Sequence, residues 1–394
     1  MSRLNVGNLF NENEDGAPVV SGISTFSSPN YFVPPSGSTA QRPSSPGEGM
    51  IRFNTDSGHL EYYNSELWVD VIVNNNNLGV STAASGSSAG TGTRGIFGGG
   101  YVASPHPSPG SCTDQVGYIT VETLGNAQDF GNLSASLMGG GQCANGTRAL
   151  YAGGRAPTSS SADNKNISFT TIASTGNYVD SGFDLSTEVS CRGTSNSTRG
   201  LFGSFISPYA DTIDYVTIQH LGTAQDFGNL TEVRGYGMAV SSPVRAVWAG
   251  GINNPTNLGT NVIDYVTIST TGNAQEFGDL TDNGYESGCA NSSTRGVIAG
   301  GTGFNKNIDF FTIATTGNAQ NFGNLDTLTK SGKGGVSSNT RGVFAGGLGD
   351  PAPATVNTME YITIAATGTA VDFGDLQQVK RIPQSGVSNG HGGL

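Results

Sequence analysis

The sequence predicts an all-β protein: a six-bladed β-propeller preceded by an extended N-terminal arm and a small three-stranded β-meander. Three observations support this prediction, and two of them are repeated segments. One is a nonapeptide whose first copy is GNAQDFGNL at 125–133, and the other is an arginine-containing strand whose first copy is TRGIFGGG at 93–100. The third is that no window of a dozen residues keeps apolar residues at helical spacing. Short β-branched and aromatic clusters instead alternate with Gly, Ser, Thr and Asn, as in strands joined by turns.

The nonapeptide recurs through the whole second part of the chain. Its copies are GTAQDFGNL at 222–230, GNAQEFGDL at 272–280, GNAQNFGNL at 317–325 and GTAVDFGDL at 368–376, with a degenerate GNYVDSGFDL at 176–185. A strand of the type IDYVTI precedes each copy and alternates with period two, which is typical of a half-buried strand. Four strands in about 40–50 residues match one propeller blade.

Each repeat also carries one arginine near its start. These arginines are Arg94, Arg148, Arg199, Arg245, Arg295 and Arg341. One sheet cannot bury both of its faces, whereas six sheets packed in a ring can, and a ring also protects the edge strands. The blades therefore occupy residues 93–394.

The double glycine after a hydrophobic strand, followed by a strand with Tyr or Phe, resembles the kelch type of blade. The resemblance covers roughly residues 93–394. The sequence departs from it because kelch blades usually carry a tryptophan later in the repeat, where this chain has the Phe of DFG, and Trp248 alone lies within the repeats. The resemblance implies a kelch-like architecture and no particular partner.

The last residues predict how the ring closes. Residues 386–389 resemble the strand that precedes the arginine strand in other repeats, so we expect them to pair beside residues 94–99. The alternative is that residues 80–85 fill this position.

The repeated arginines allow two interpretations. Alternation puts them on one face, where each would bind an acidic residue or a carbonyl to hold neighbouring strands. The acidic candidates are Asp129, Asp226, Glu276 and Asp372. Asn321 occupies that position in the fifth repeat, so a strict ion-pair rule fails there. The alternative is a cluster that binds an anionic ligand.

Charge and cysteine usage exclude several function classes. A net charge of −12 disfavours nucleic-acid binding. The N-terminus lacks the apolar core of a secretory signal, and no run of 18 apolar residues predicts membrane insertion. Cys143, Cys191 and Cys289 occupy a position that is valine in other repeats, which predicts small buried apolar side chains. We expect no metal site and no cofactor.

The sequence favours a non-enzymatic protein. The histidines, His59, His106, His220 and His391, are scattered, and no HExxH or phosphate-binding loop occurs. GxSxG matches at Gly86 and Gly386 have no following helix. The Asp boxes of sialidases are missing. A glycan-active enzyme stays as an alternative, because paired carboxylates can come from distant blades.

Binding residues are expected in the loops between the arginine strand and the IDYVTI strand, which leave the same edge of every blade. The ligand-binding or receptor-binding candidates in these loops are Tyr101, His106, Tyr209, Asn253, Asn254, Phe304 and Asp350. Aromatic and amide side chains on a rigid ring suit a sugar or a protein partner. The alternative is an ordinary solvated surface.

The front of the chain has no repeat. We predict an extended attachment arm at 1–48, a β-meander at 49–73 with strands at 50–54, 59–63 and 67–71, and a linker at 74–92. A meander of this size cannot bury a core of its own, so it must pack on a homo-oligomer such as a trimer, on a larger assembly or on the propeller. The candidate anchoring residues are Tyr31, Phe32, Ile51, Phe53, Tyr62 and Trp68.

The segment RPSSPGEGMIRFNTDSGHLEYYNSELWVDV, at 42–71, resembles a module of bacteriophage virion proteins, especially tail fibres and other appendages of cyanobacterial phages. It departs from that pattern in YNSELW, where a glycine turn is usual. The resemblance implies a virion structural protein that is assembled in the host cytoplasm. Its partners would be other virion proteins and a host-surface glycan or protein. The alternative is a cement, neck or capsid-decorating protein that contacts only other virion proteins.

Overall fold

The computed structural model describes residues 34–57, 59–71, 93–102, 111–156, 164–186, 190–206, 208–302, 306–327, 329–349, 355–381 and 386–394. The chain divides into two compact units, residues 1–85 and 86–394. Among the described residues the structure is all-β, as predicted, with antiparallel four-stranded sheets and a single 3₁₀ turn.

The first unit contains one four-stranded sheet, here called the front sheet. Its elements are β1 (Ser36–Gly37), the 3₁₀ turn (Thr39–Gln41), β2 (Ile51–Asn54), β3 (His59–Tyr63) and β4 (Trp68–Val71). The three predicted strands are present and pair as a meander. The prediction of a three-stranded unit is wrong in one respect, since β1 pairs in parallel with β2. The end of the predicted attachment arm therefore contributes a fourth strand.

The second unit contains five four-stranded sheets and one five-stranded sheet, sheet IV, here called sheets I to VI in chain order. Sheet I and a short hairpin beside it use β5 (Arg94–Gly98), β6 (Tyr101–Val102), β7 (Ser111–Cys112), β8 (Gln115–Thr120) and β9 (Gln128–Asn132). Sheets II and III use β10 (Gly141–Ala144), β11 (Arg148–Ala152), β12 (Asn166–Thr171), β13 (Val179–Asp184), β14 (Ser190–Ser195), β15 (Arg199–Ile206), β16 (Thr212–Thr217) and β17 (Gln225–Asn229).

The remaining strands build sheets IV to VI. Sheets IV and V use β18 (Arg234–Gly235), β19 (Met238–Ser241), β20 (Arg245–Asn253), β21 (Gly259–Thr267), β22 (Gln275–Asp279), β23 (Gly288–Asn291), β24 (Arg295–Ala299), β25 (Asn307–Thr312) and β26 (Gln320–Asn324). Sheet VI uses β28 (Gly334–Ser337), β29 (Arg341–Ala345), β31 (Thr358–Thr363) and β32 (Val371–Asp375). The strands β27 (Thr329–Ser331) and β30 (Leu348–Gly349) form a separate two-stranded sheet, and β33 (Val387–Ser388) joins sheet I.

All six sheets share one strand order. The arginine strand pairs with the IDYVTI-type strand, which pairs with the nonapeptide strand. The strand on the other side of the arginine strand precedes it in the chain in sheets II to VI. In sheet I this position belongs to β33, where Val387 pairs with Ile96 and Ser388 with Gly95. The predicted pairing of the last strand is confirmed, and the alternative segment at 80–85 lies outside the described residues.

The apolar side chains form six clusters, each between two consecutive sheets. One joins Phe202 of sheet III to Leu150 of sheet II, and another joins Phe344 of sheet VI to Val297 of sheet V. The sixth cluster joins sheet VI to sheet I, since Val343 packs with Phe97. Each sheet is therefore covered on both faces by its neighbours.

The nonapeptide joins consecutive sheets through the backbone. Phe227 is buried, and its carbonyl accepts the amide of Gly272 in the next copy at 2.7 Å. Gly228 has a φ angle of +145° and lies against the next sheet. A Cβ atom at this position would be 2.4 Å from the Gly272 oxygen. The last copy repeats this contact with the first, because Gly125 donates to the Phe373 carbonyl at 3.0 Å. Recurrence of the same nine letters thus reflects recurrence of the same interface.

Candidate functional site

The repeated arginines hold neighbouring sheets together through carbonyls. Arg245 donates from Nη1 to the Ile313 carbonyl of the next sheet at 3.0 Å. Arg341 of sheet VI donates to the Val121 carbonyl of sheet I at 3.1 Å. The partners of the other four are Ile172, Ile218, Ile268 and Ile364 in turn. Each guanidinium also stacks within 4.3–4.9 Å of an aromatic ring on the IDYVTI-type strand, the third strand of its own sheet.

This geometry supports the architectural interpretation of the arginines. The four acidic candidates are not among their hydrogen-bond partners in the described part of the chain. A carbonyl is available in every repeat, whereas the acidic residue is replaced by Asn321 in the fifth. The arginines are therefore committed to the interfaces between sheets.

Acidic side chains on the third strands, which the sequence analysis missed, make a second set of contacts between sheets. Asp309 is buried and accepts the backbone amide of Thr281 at 2.8 Å and its hydroxyl at 2.7 Å. Burial raises the pKa of the Asp309 carboxyl, and these hydrogen bonds oppose the shift. Asp214, Asp264 and Glu360 occupy the same position. An acidic residue recurring inside an otherwise half-buried strand was the available signal.

One cavity of the second unit is lined by residues from all six sheets or from the segments attached to them. It has a volume of about 280 Å³. The lining residues that carry charge or a phenol are Tyr101, Arg155, Arg192, Tyr236, Glu286 and Arg381, in the order of sheets I to VI. Three guanidinium groups and one carboxylate give this cavity a positive balance in a chain whose net charge is −12.

Arg192 lies deepest of these groups, because it is 2% exposed. Its Nη1 donates to the Cys191 carbonyl at 2.8 Å and to the Gly139 carbonyl at 3.3 Å. Its Nε and Nη2 atoms are buried and have no hydrogen-bond partner among the described residues. Burial lowers the pKa of Arg192, although an arginine in a protein keeps its proton.

The other charged groups of the cavity are less buried. Arg381 and Glu286 form an ion pair at 3.1 Å. Arg155 is half-buried, and within the described ranges no ion pair of its side chain is present. Glu286 and Tyr236 both have positive φ angles, +55° and +59°. Such angles are uncommon for residues with a side chain, and the backbone here holds both residues at the wall of the cavity.

A second, small cavity of about 50 Å³ lies between the first strands of the six sheets. Arg192 lines both cavities. His391 also lines the small one, and its Nε2 donates to the Ala144 carbonyl at 2.9 Å while its Nδ1 accepts the Gly393 amide at 3.1 Å. These partners assign the neutral imidazole with its proton on Nε2. Burial lowers the pKa of His391.

The predicted binding residues fall into three groups. Tyr101 lines the larger cavity, and Tyr209 packs against Tyr236 of that cavity at 6.3 Å between ring centroids. Asn253 and Asn254 are not among its lining residues; Asn253 instead donates to Glu232 at 2.6 Å. His106, Phe304 and Asp350 lie outside the described residues. Sequence reasoning missed Arg155, Arg192, Glu286 and Arg381, which follow no repeated position.

The polar side of the front sheet is buried, and its apolar side is exposed to solvent. Glu61 is fully buried and contacts Arg42 and Arg52, the latter at 3.3 Å. The opposite side carries Ile51 and Phe53, which are 54% and 37% exposed. Tyr62 lies on the same side and is also exposed. Three predicted anchoring residues thus share one uncovered surface, here called the apolar face.

The other anchoring candidates do not join this surface. Trp68 is half-buried on the polar side, where Arg42 and Arg52 each lie 6.0 Å from its ring. Tyr31 and Phe32 lie outside the described residues. Trp68 thus contacts two arginines of its own unit and does not belong to the apolar face.

The cysteine prediction is confirmed for two of three residues. Cys143 and Cys191 are buried, and Cys289 is half-buried. Burial raises the pKa of the Cys191 and Cys289 thiols to about 12. All four cysteines are free thiols. Their reactivity with thiol reagents in the folded protein is therefore expected to be low.

No protein-family model and no curated protein sequence matches this chain. The described segments also include no helix that is long and apolar enough to cross a membrane. The fold defines the chain as an all-β protein with six repeated sheets. Its two candidate binding features are the larger cavity and the apolar face of the front sheet.

Proposed function

We propose that the chain is a structural protein of a bacteriophage virion. In this proposal residues 93–394 form a closed six-bladed β-propeller that is displayed for adhesion to the host surface. The front part of the chain anchors it to other virion proteins. The observation that carries the anchoring role is the apolar face of the front sheet.

Four sets of contacts support ring closure, one within sheet I and three between sheets VI and I. They are the strand pairing of β33 with β5, the apolar cluster around Phe97, the bond from Arg341 to Val121 and the bond from Gly125 to Phe373. The last three also have equivalents between successive sheets. Because the contacts that join successive sheets recur between the last sheet and the first, six blades in a ring satisfy all of them.

The burial pattern of the front sheet supports an anchoring role. A free sheet in water normally exposes its polar side and buries its apolar side. Here residues 38–42 lie against the polar side, while Ile51, Phe53 and Tyr62 stay exposed. Exposed apolar patches mark protein–protein surfaces. The resemblance of residues 42–71 to a module of phage appendages indicates other virion proteins as the partner.

Incorporation into particles tests the anchoring role. Phage particles assembled with Ile51→Ser/Phe53→Ser should carry about tenfold less of this protein than particles with the natural sequence, since two buried apolar side chains are lost from the interface. The matched control is Glu66→Gln, an exposed polar change in the turn between β3 and β4. Normal incorporation of the double variant would contradict the proposed anchor.

Competition tests the adhesive role. Purified full-length protein should block adsorption of phage particles to host cells, because it occupies the same surface ligand. A cement, neck or capsid-decorating protein would leave adsorption unchanged at any concentration, and that result would replace adhesion by a purely structural role. Release of sugar from host polysaccharide by the purified protein would instead favour the enzyme alternative.

A further inference from the structure

The unpaired side of Arg192 defines a binding geometry. Nε–H and Nη2–H of a guanidinium point in parallel from one edge, and this pair matches the two oxygens of a carboxylate. In Arg192 the third nitrogen, Nη1, is already bound to two carbonyls, so the side chain is held with that edge unpaired. A buried charged donor without a partner is costly. A bound anion would satisfy both atoms.

The charges of the larger cavity favour a single compact anion. The Arg381–Glu286 pair is internally balanced, which leaves Arg192 and Arg155 as the excess positive charge. Glu286 opposes the entry of a highly charged group such as a phosphate dianion. A monovalent carboxylate, bound by Arg192 and steered by Arg155, agrees with this balance.

The size and the aromatic content of the cavity favour a sugar as the carrier of that carboxylate. A volume of about 280 Å³ lies near the lower end of small-molecule pockets, which suits one sugar ring. Tyr101 and Tyr236 line the cavity, and Tyr209 and Tyr285 flank Tyr236 at 6.3 and 6.4 Å. Tyrosine rings offer a flat face to the C–H side of a sugar and a hydroxyl to its polar groups.

We propose that this cavity binds a carboxylated sugar residue, with the carboxylate on Nε and Nη2 of Arg192. The inference deepens the proposed function, because it names the class of host-surface ligand, an acidic polysaccharide containing uronic acid. Binding requires no covalent step.

Titration of the full chain with soluble sugars tests the proposal. Methyl β-glucuronide should bind at least about tenfold more tightly than methyl β-glucoside, which lacks only the carboxylate. Binding should weaken with increasing salt, because Arg155 is partly exposed. Equal affinity for the two glycosides, or a preference for a phosphorylated or sulfated glucoside over the glucuronide, would overturn the assignment.

Variants of the full chain locate the site. Arg192→Lys keeps the charge but removes the parallel pair of donors, and it should weaken glucuronide binding by about tenfold. Arg155→Gln should weaken it by about threefold, and it decides the question if Arg192→Lys does not fold. Lys165→Gln, which removes a partly exposed positive charge that is not among the lining residues, is the control. Unchanged binding in Arg155→Gln together with unchanged or unobtainable Arg192→Lys would overturn the proposed site.

The two proposals can fail separately. Protein that blocks adsorption of particles but does not bind the glucuronide supports adhesion and overturns the acidic-sugar site. Protein that binds the glucuronide but does not block adsorption leaves the site intact and overturns the adhesive role.

Discussion

Single side chains hold the sheets of this protein together by contacts that are repeated six times. The arginine of each repeat lies with its guanidinium on an aromatic ring of its own sheet and with one N–H on a carbonyl of the next sheet. Guanidinium suits this position better than ammonium because it is planar and stacks. The aromatic contact also directs the donor, so one side chain fixes both the pairing within a sheet and the spacing to the next.

Arg245→Leu should lower the free energy of unfolding by about 2 kcal/mol, because it removes a charge-assisted hydrogen bond and a cation–π contact. Chemical denaturation followed by tryptophan fluorescence measures the change. Lys165→Met removes an exposed positive charge whose ion pair is 3.8 Å long, and its effect should stay within about 0.5 kcal/mol. Equal effects of the two substitutions would contradict the role given to the arginine.

His391 should make stability depend on pH in the weakly acidic range. Its pKa is lowered by burial in the folded state, whereas the unfolded chain binds a proton near pH 6.5. The stabilising contribution is complete above about pH 6.5 and is lost as the pH falls toward the lower pKa of the folded state. The thermal midpoint of the natural protein should therefore fall more steeply between pH 6.5 and 5 than that of His391→Gln.

Parallel pH profiles of the two proteins would contradict this assignment. Gln is a suitable replacement, because its amide can donate to the Ala144 carbonyl and its own carbonyl can accept the Gly393 amide.

At the scale of elements, neighbouring sheets are joined by backbone contacts as well as by side chains. These contacts link the nonapeptide strand of one sheet to a turn of the next. The glycine in DFG lies at a bulge in the pairing of the third and fourth strands, as between Ile263 and Asp264 opposite Gly278. The bulge brings its backbone against the turn of the next sheet, where a Cβ would meet a carbonyl oxygen at 2.5 Å. A side chain at this position would separate two sheets.

Gly228→Ala should destabilise the protein by about 2 kcal/mol or more, since it combines overpacking with an unfavourable backbone angle. Gly222→Ala is the matched control in the same nonapeptide, because a Cβ at Gly222 has nothing within 4 Å. This control should be neutral or slightly stabilising. Denaturation of both variants under one set of conditions checks the difference, and a tolerant Gly228 would show that the sheets can shift apart.

The elements that the sequence predicted well are those whose residues recur, because the same local contacts are needed in each of the six repeats. The strands and the pairing of residues 386–389 belong to this group. The partners of the arginines were less predictable, since any backbone carbonyl is invisible in a sequence. Arg192 and Glu286 could not be assigned to a site, because six separate segments meet there without a shared motif. The strand β1 was also missed, since Ser36 and Gly37 have low strand propensity.

For the whole molecule, the pairing between β33 and β5 joins the two ends of the repeat region. The Arg94 amide donates to the Asn389 side chain at 2.8 Å, across 295 residues of chain. Sheet I therefore depends on both ends of the repeat region. Sheets II to VI each take their strands from one continuous stretch of chain.

Removing residues 386–394 should lower the thermal midpoint by several degrees and expose the free edge of β5 to solvent exchange. Hydrogen–deuterium exchange should show faster exchange at 94–98 and at the neighbouring strand β8, while the nonapeptide strands of sheets III and IV, β17 and β22, stay as protected as in the natural protein. Unchanged protection at 94–98 would mean that another segment, such as residues 80–85, occupies this edge.

The same pairing has a consequence for synthesis on the ribosome. The strand β5 leaves the exit tunnel early, yet its inner neighbour is translated almost three hundred residues later. During that interval the nascent chain carries an open hydrogen-bonding edge while the middle sheets are already assembling. A transcript broken anywhere in the repeats would yield a product with this unpaired strand edge, and cellular proteases would have that edge by which to recognise it.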